Sequence, residues 1–160
     1  MDAILSAPFT RARAFLGAAA LALALPVAAQ GTVPPKPLPV VTVKIAGHAL
    51  RAEVVSTPEQ RAKGLMHREK LGKDDGMLFI FDEPGYHAMW MMNTLIPLSV
   101  AFVDGEGRIL NIENMQPKTL DSHAAQGPAR YAIETNLGWF EQRRIKAGDK
   151  VTGLPKPTAP

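Results

Sequence analysis

The chain has 160 residues, 18 Lys plus Arg against 15 Asp plus Glu, and no cysteine. That is room for one domain with an ordinary core, and it excludes disulfides, thiolate metal sites, thiol catalysis and a lipid anchor on an N-terminal cysteine. A formal charge of +3 spread along the chain is too weak to argue for nucleic acid or an anionic membrane as a partner.

The N-terminus reads as a processing signal. Arg11 and Arg13 precede "AFLGAAALALAL" (Ala14–Leu25), Pro26 breaks the run, and Val27-Ala28-Ala29 offers small residues for cleavage. The run is well short of the roughly 20 residues of a spanning helix. Residues 1–29 are therefore expected to be a cleaved signal peptide, leaving a mature protein without a membrane span. Such a protein is exported, and is periplasmic in a Gram-negative cell; an uncleaved N-terminal anchor is the alternative. Arg11 and Arg13 are separated by Ala12, so the adjacent twin-arginine pair is missing. Removal of residues 1–29 leaves 16 Lys plus Arg against 14 Asp plus Glu, a mature charge of +2.

Residues 30–39 include "GTVPPKPLPV" up to Pro39, a proline-rich extended tether, and "LPKPTAP" repeats that composition, so residues 155–160 read as a disordered tail. The domain is expected between them, over residues 40–154. "VVTVKI" and "ALRAEVV" flank a turn at Gly47 and read as strands. In "TPEQRAKG", Thr57 caps a short helix, Pro58 takes its first position, Gln60 completes a capping box and Gly64 ends it. "GMLFIF" (Gly76–Phe81) and "LSVAFV" (Leu98–Val103) are apolar on both faces, as in strands covered on both sides. "DGEG" turns the second of these into "RILNIENM"; Gln116 to Pro128 carries no helix or strand pattern. "RYAIET" is a further strand, Gly138 to Arg144 a short helix, and "AGDKVTGL" a turn with a last strand. The expected fold is mainly β: a single compact antiparallel β-sandwich or barrel-like domain of about eight short strands with one or two short helices.

The blocks "GLMHREKL", "GMLFIF", "MWMMNTLIPLSVAFVDGEGRI" and "YAIETNLG…IKAGDKV" resemble, in order and spacing, domain of unknown function 192 (DUF192), a family with no established activity. The resemblance implies a compact, mostly β domain, frequently exported or membrane-anchored. Met92 stands where that family often has lysine, and Ser99 where it usually has aspartate.

Three sites follow as expectations. Arg68, Trp90, Asn93, Glu134 and Asn136 are polar or aromatic residues near strand ends that could converge on a small ligand or an envelope partner. In the alternative, Arg68 and Glu134 form a buried ion pair and Asn93-Thr94 serve a tight turn before Pro97. The same Glu134, beside Arg68, is the candidate acid/base of a hydrolase or sugar-modifying enzyme. On an extended strand His87, Met89 and Met91 share one face, with neighbours roughly 7 Å apart, and suit Cu(I). Methionine is equally a filler of irregular cores, and the stretch from His87 to Val103 is read mainly as sheet wall. The four histidines lack zinc-site spacing, "DSH" (Asp121–His123) is too local for a triad, and no phosphate loop or serine elbow is present. No cofactor is implied. The leading expectation is a non-enzymatic ligand- or partner-binding domain of the cell envelope.

Overall fold

The structure, a computed structural model, describes residues 36–156. The expected signal peptide, the start of the tether and residues 157–160 lie outside the described residues. Nine strands and two short helices follow in order: β1 (Val40–Ile45), β2 (His48–Val55), α1 (Pro58–Lys63), β3 (Asp75–Gly85), β4 (Ala88–Met89), β5 (Leu98–Val103), β6 (Ile109–Met115), β7 (His123–Ala124), β8 (Ala129–Asn136), α2 (Trp139–Gln142) and β9 (Val151–Thr152).

Seven strands form one curled sheet in the order β6-β5-β8-β3-β2-β1-β9. Its two edges meet at one corner. Arg108 bridges Lys150, and Val151 N–H donates to Gly107 O at 2.8 Å. The result is a half-barrel, mainly β as expected. One pair departs from antiparallel order: β2 and β3 run parallel, with Glu53 opposite Met77. Parallel neighbours need a crossover, and α1 supplies it. Thr57 Oγ1 accepts from Gln60 N–H at 3.2 Å, while Gln60 Oε1 accepts from Thr57 N–H at 3.3 Å, so the capping box forms as read from the sequence.

The sheet is covered on both faces, which explains the apolar runs of β3 and β5. The concave face holds Val43, Ile45, Leu50, Leu78, Ile133 and Trp139. The convex face holds Met77, Phe79, Val100, Phe102 and Met115, with Leu65 and Met91 packed over them. That second layer comes from the segment after α1 and from a two-stranded ribbon, β4 with β7, and its flanks. Hence the Gln116–Pro128 connection, without pattern in sequence, contains a strand of two residues, and the His87–Met92 stretch is extended only at Ala88–Met89. Two residues give too little periodicity to read. The end of the tether also joins the fold, since Leu38 packs on the convex core and Pro39 O accepts from Val54 N–H at 2.8 Å.

Candidate functional site

Alternation along β8 sends Tyr131 and Ile133 to the concave core, and Ala132 and Glu134 to the convex side. The neighbours of Glu134 across the sheet are Met77 on β3 and Val100 on β5, both fully buried. Over it lies a cavity of about 260 Å³ lined by α1 from Arg61 to Lys63, the following Gly64–Met66, Phe79, Phe81, Ala88, Met89, Trp90 and Thr94. Glu134 is 4% exposed and, among the described residues, has no hydrogen bond or ion pair. Burial alone pushes its carboxyl up to about 8, so it carries its proton at neutral pH.

The walls are held by local devices. Gly64 has a φ of +45°, and a Cβ there would stand 3.3 Å from the Phe79 ring, so glycine permits the close approach of the helix end to β3. Arg61 donates to Ile80 O at 2.9 Å and pairs with Asp82 at 2.8 Å, tying α1 to the same strand. Thr94 N–H closes a turn on Met91 O at 3.0 Å, with Asn93 at φ +57°. His67 N–H donates to Asn93 O at 2.9 Å, so the segment after α1 and the Trp90 segment are joined. Trp90 itself is 52% exposed at the cavity.

Residues 41–153 match DUF192, described as an uncharacterized ACR. The chain belongs to this family. A solved structure from Novosphingobium aromaticivorans DSM 12444, a protein of unknown function, is similar at 38% identity and a TM-score of 0.70. It covers 78% of this chain and 93% of its own. Another, from Sinorhizobium meliloti 1021 and described as a "putative transcription regulator", has 33% identity and a TM-score of 0.71, over 74% of this chain and 97% of its own. No curated protein matches the chain.

In this DUF192 domain the five ligand-site expectations separate. Trp90 and Glu134 line the cavity together. Arg68 does not pair with Glu134: both its terminal nitrogens hold Glu53 at 2.6 Å. Glu53 and Glu134 lie in one row across the sheet with Met77 between them, so the expected pair was placed on the wrong acid of that row. Glu53 is the accessible one, with a side chain 30% exposed, and pairing there demands less desolvation. The guanidinium holds the Glu53 carboxyl below its ordinary range. Asn136 donates to Gly72 O at 2.8 Å and supports the loop before β3. Asn93 serves the turn described above, as the structural alternative expected.

The soft-metal trio is also divided. The His87 ring stacks on Phe81 at 3.7 Å, with Nε2 2.9 Å from Glu83 O, while Met91 is fully buried in the convex core. The residue opposite Met89 in the ribbon is His123, whose Nε2 is buried without a hydrogen-bond partner among the described residues. No cluster of three His, Asp or Glu suited to a metal occurs among the described residues. Ser99, the family departure, donates to Asn114 Oδ1 at 2.6 Å and accepts from Gly138 N–H at 2.9 Å. It anchors the left-handed turn at Gly138 into α2 and does not line the Glu134 cavity. It lines a second, more open groove of about 650 Å³ with Asn111, Glu141 and Arg144. Sequence reasoning missed Leu65, Met66, Phe79 and Phe81 as site residues. The period of two in "GMLFIF" already puts Met77, Phe79 and Phe81 on one face.

Proposed function

We propose that this domain is a non-enzymatic binding module that holds a small ligand in the cavity over Glu134. The observation that carries the reading is the buried carboxyl of Glu134, without a hydrogen bond or ion pair among the described residues, at the base of a cavity. Leu65, Met66, Phe79, Phe81, Met89 and Trp90 wall that cavity, with Arg61, Lys63 and Thr94 also lining it. An isolated buried carboxyl is costly to a fold and has no structural partner among the described residues, whereas a mostly apolar concavity with a few polar groups is how small-molecule sites are built. The volume of about 260 Å³ suits a metabolite-sized molecule. Export to the envelope is part of the proposal and rests on the sequence of residues 1–29. Among the described residues no helix is long and apolar enough to cross a membrane.

A fragment screen by thermal shift on the full chain tests the reading, because a ligand that binds only the folded state raises its melting temperature. Hits are expected to lose their effect in Trp90→Ala and to keep it in Arg68→Ala, which removes only the Glu53 partner outside the cavity. Hits that survive Trp90→Ala and Glu134→Gln alike, and fail instead when Arg144 in the open groove is replaced, would move the site there. A second reading, an enzyme with Glu134 as general acid, is favoured by the same raised carboxyl, since a proton donor at neutral pH is what such chemistry needs. It predicts turnover of a hydrolase or glycoside substrate that Glu134→Gln abolishes with binding retained.

A further inference from the structure

Five acids of this domain, all of them more exposed than Glu134, are paired with arginines. Asp75 is held by Arg51, Glu53 by Arg68, Asp82 by Arg61, Glu83 by Arg130 and Asp74 by Arg143. Glu134 is more buried than any of these, yet no cation meets it among the described residues. Of the groups around the cavity, only Arg61, Lys63 and Glu134 can carry charge. Arg61 is committed to Asp82, Ile80 O and Ser56 O. Lys63 is exposed on the last turn of α1 and makes no ion pair with Glu134. What the site lacks is a positive charge delivered between Met77 and Val100, under aromatic walls.

Resting on the ligand-binding reading above, we propose that the cavity takes a small organic cation, a protonated amine with an apolar body, whose nitrogen becomes the partner of Glu134. A carboxylate ligand would meet a group that cannot ionise beside it, and an alcohol would gain one neutral hydrogen bond. An ammonium gains a charge-assisted bond to the ionised carboxylate and a face of Trp90 for a cation–π contact. The proton balance is explicit: the neutral Glu134 carboxylic acid gives its proton to solvent, and the resulting carboxylate pairs with the ammonium, which keeps all its hydrogens. Binding at pH 7 therefore releases most of a proton per ligand.

Isothermal titration of the full chain at pH 7 with benzylamine, n-butylamine, benzyl alcohol and benzoate, in two buffers of different ionisation enthalpy, tests this. The amines are expected to bind more tightly than the alcohol. On repetition at pH 8.5 they gain several-fold over their pH 7 affinity while the alcohol does not, because Glu134 then no longer has to be ionised for binding. Only the amines release the proton. In Glu134→Gln the preference and the release disappear while benzyl alcohol still binds, which separates a lost charge from a lost fold. Benzyl alcohol or benzoate binding as well as the amines, or amines binding without proton release, overturns the cation and leaves the cavity reading standing. No binding by any of the four probes, with Trp90 fluorescence unmoved, overturns both.

Discussion

Glu134 keeps its proton because ionising it between Met77 and Val100 would place a bare charge in an apolar layer. Its carboxyl moves from 4.5 to about 8, so within that window the folded chain holds a proton that the unfolded chain has released. Stability must then fall as pH rises from about 4.5, and the fall is complete above about 8. The shift corresponds to a loss of at most about 5 kcal/mol across the window. Glutamine carries no such proton, so Glu134→Gln should match the parent near pH 5 and exceed it by a few kcal/mol at pH 8.5. Urea denaturation at pH 5, 7 and 8.5 reads this directly, and parallel pH profiles for the two proteins would contradict it. The paired acids do not blur the result. Glu53, Asp75 and Asp82 are all lowered by their arginines and lose their contribution only in acid, below the window.

At the scale of elements, α1 depends on its cap more than on its packing. None of its six residues is buried, so the helix is held by the Thr57–Gln60 capping box, by Arg61 and by the close turn at Gly64. Thr57→Ala should cost about 1 kcal/mol and speed amide hydrogen exchange over residues 58–64, with little effect on β6 or β9. Exchange unchanged in α1 would mean that the contacts of Arg61 with Ile80 and Asp82 suffice alone. This element was legible from the sequence because capping is a short-range matter of three or four residues. The long strands were legible for the same reason, through an alternation or an apolar run of six or more positions. The ribbon of β4 and β7 was not. Each strand has two residues, and its pairing joins Ala88 to Ala124 and Met89 to His123, positions that no local pattern connects. The site suffered likewise. Arg68 and Glu134 were identified as residues of interest, but which acid Arg68 reaches depends on the register of β2 against β3, a property of the folded sheet.

At the scale of the whole molecule, the sheet stands between two cores, and the corner where β6 approaches β9 decides whether the concave one stays sealed. Gly107 sits at that corner with a φ of +83°, and a Cβ there would lie 2.7 Å from Val151 O. Alanine at this position must adopt a backbone that side chains rarely tolerate and must push β9 away from Gly107 O, the acceptor of the Val151 N–H. Gly107→Ala is therefore expected to destabilise by on the order of 2–3 kcal/mol. The two tryptophans show how that loss spreads, since Trp139 is buried in the concave core and Trp90 reports from the opposite face. Because both cores share β3, β5 and β8, the sheet should unfold as one unit. Single-tryptophan versions made with Trp90→Phe or Trp139→Phe should then give coincident urea transitions, and Gly107→Ala should shift both by the same amount. A shift confined to the Trp139 signal would make the β9 corner a separately melting flap. The Glu134 cavity would then stand on β3, β5 and β8 without help from the closure.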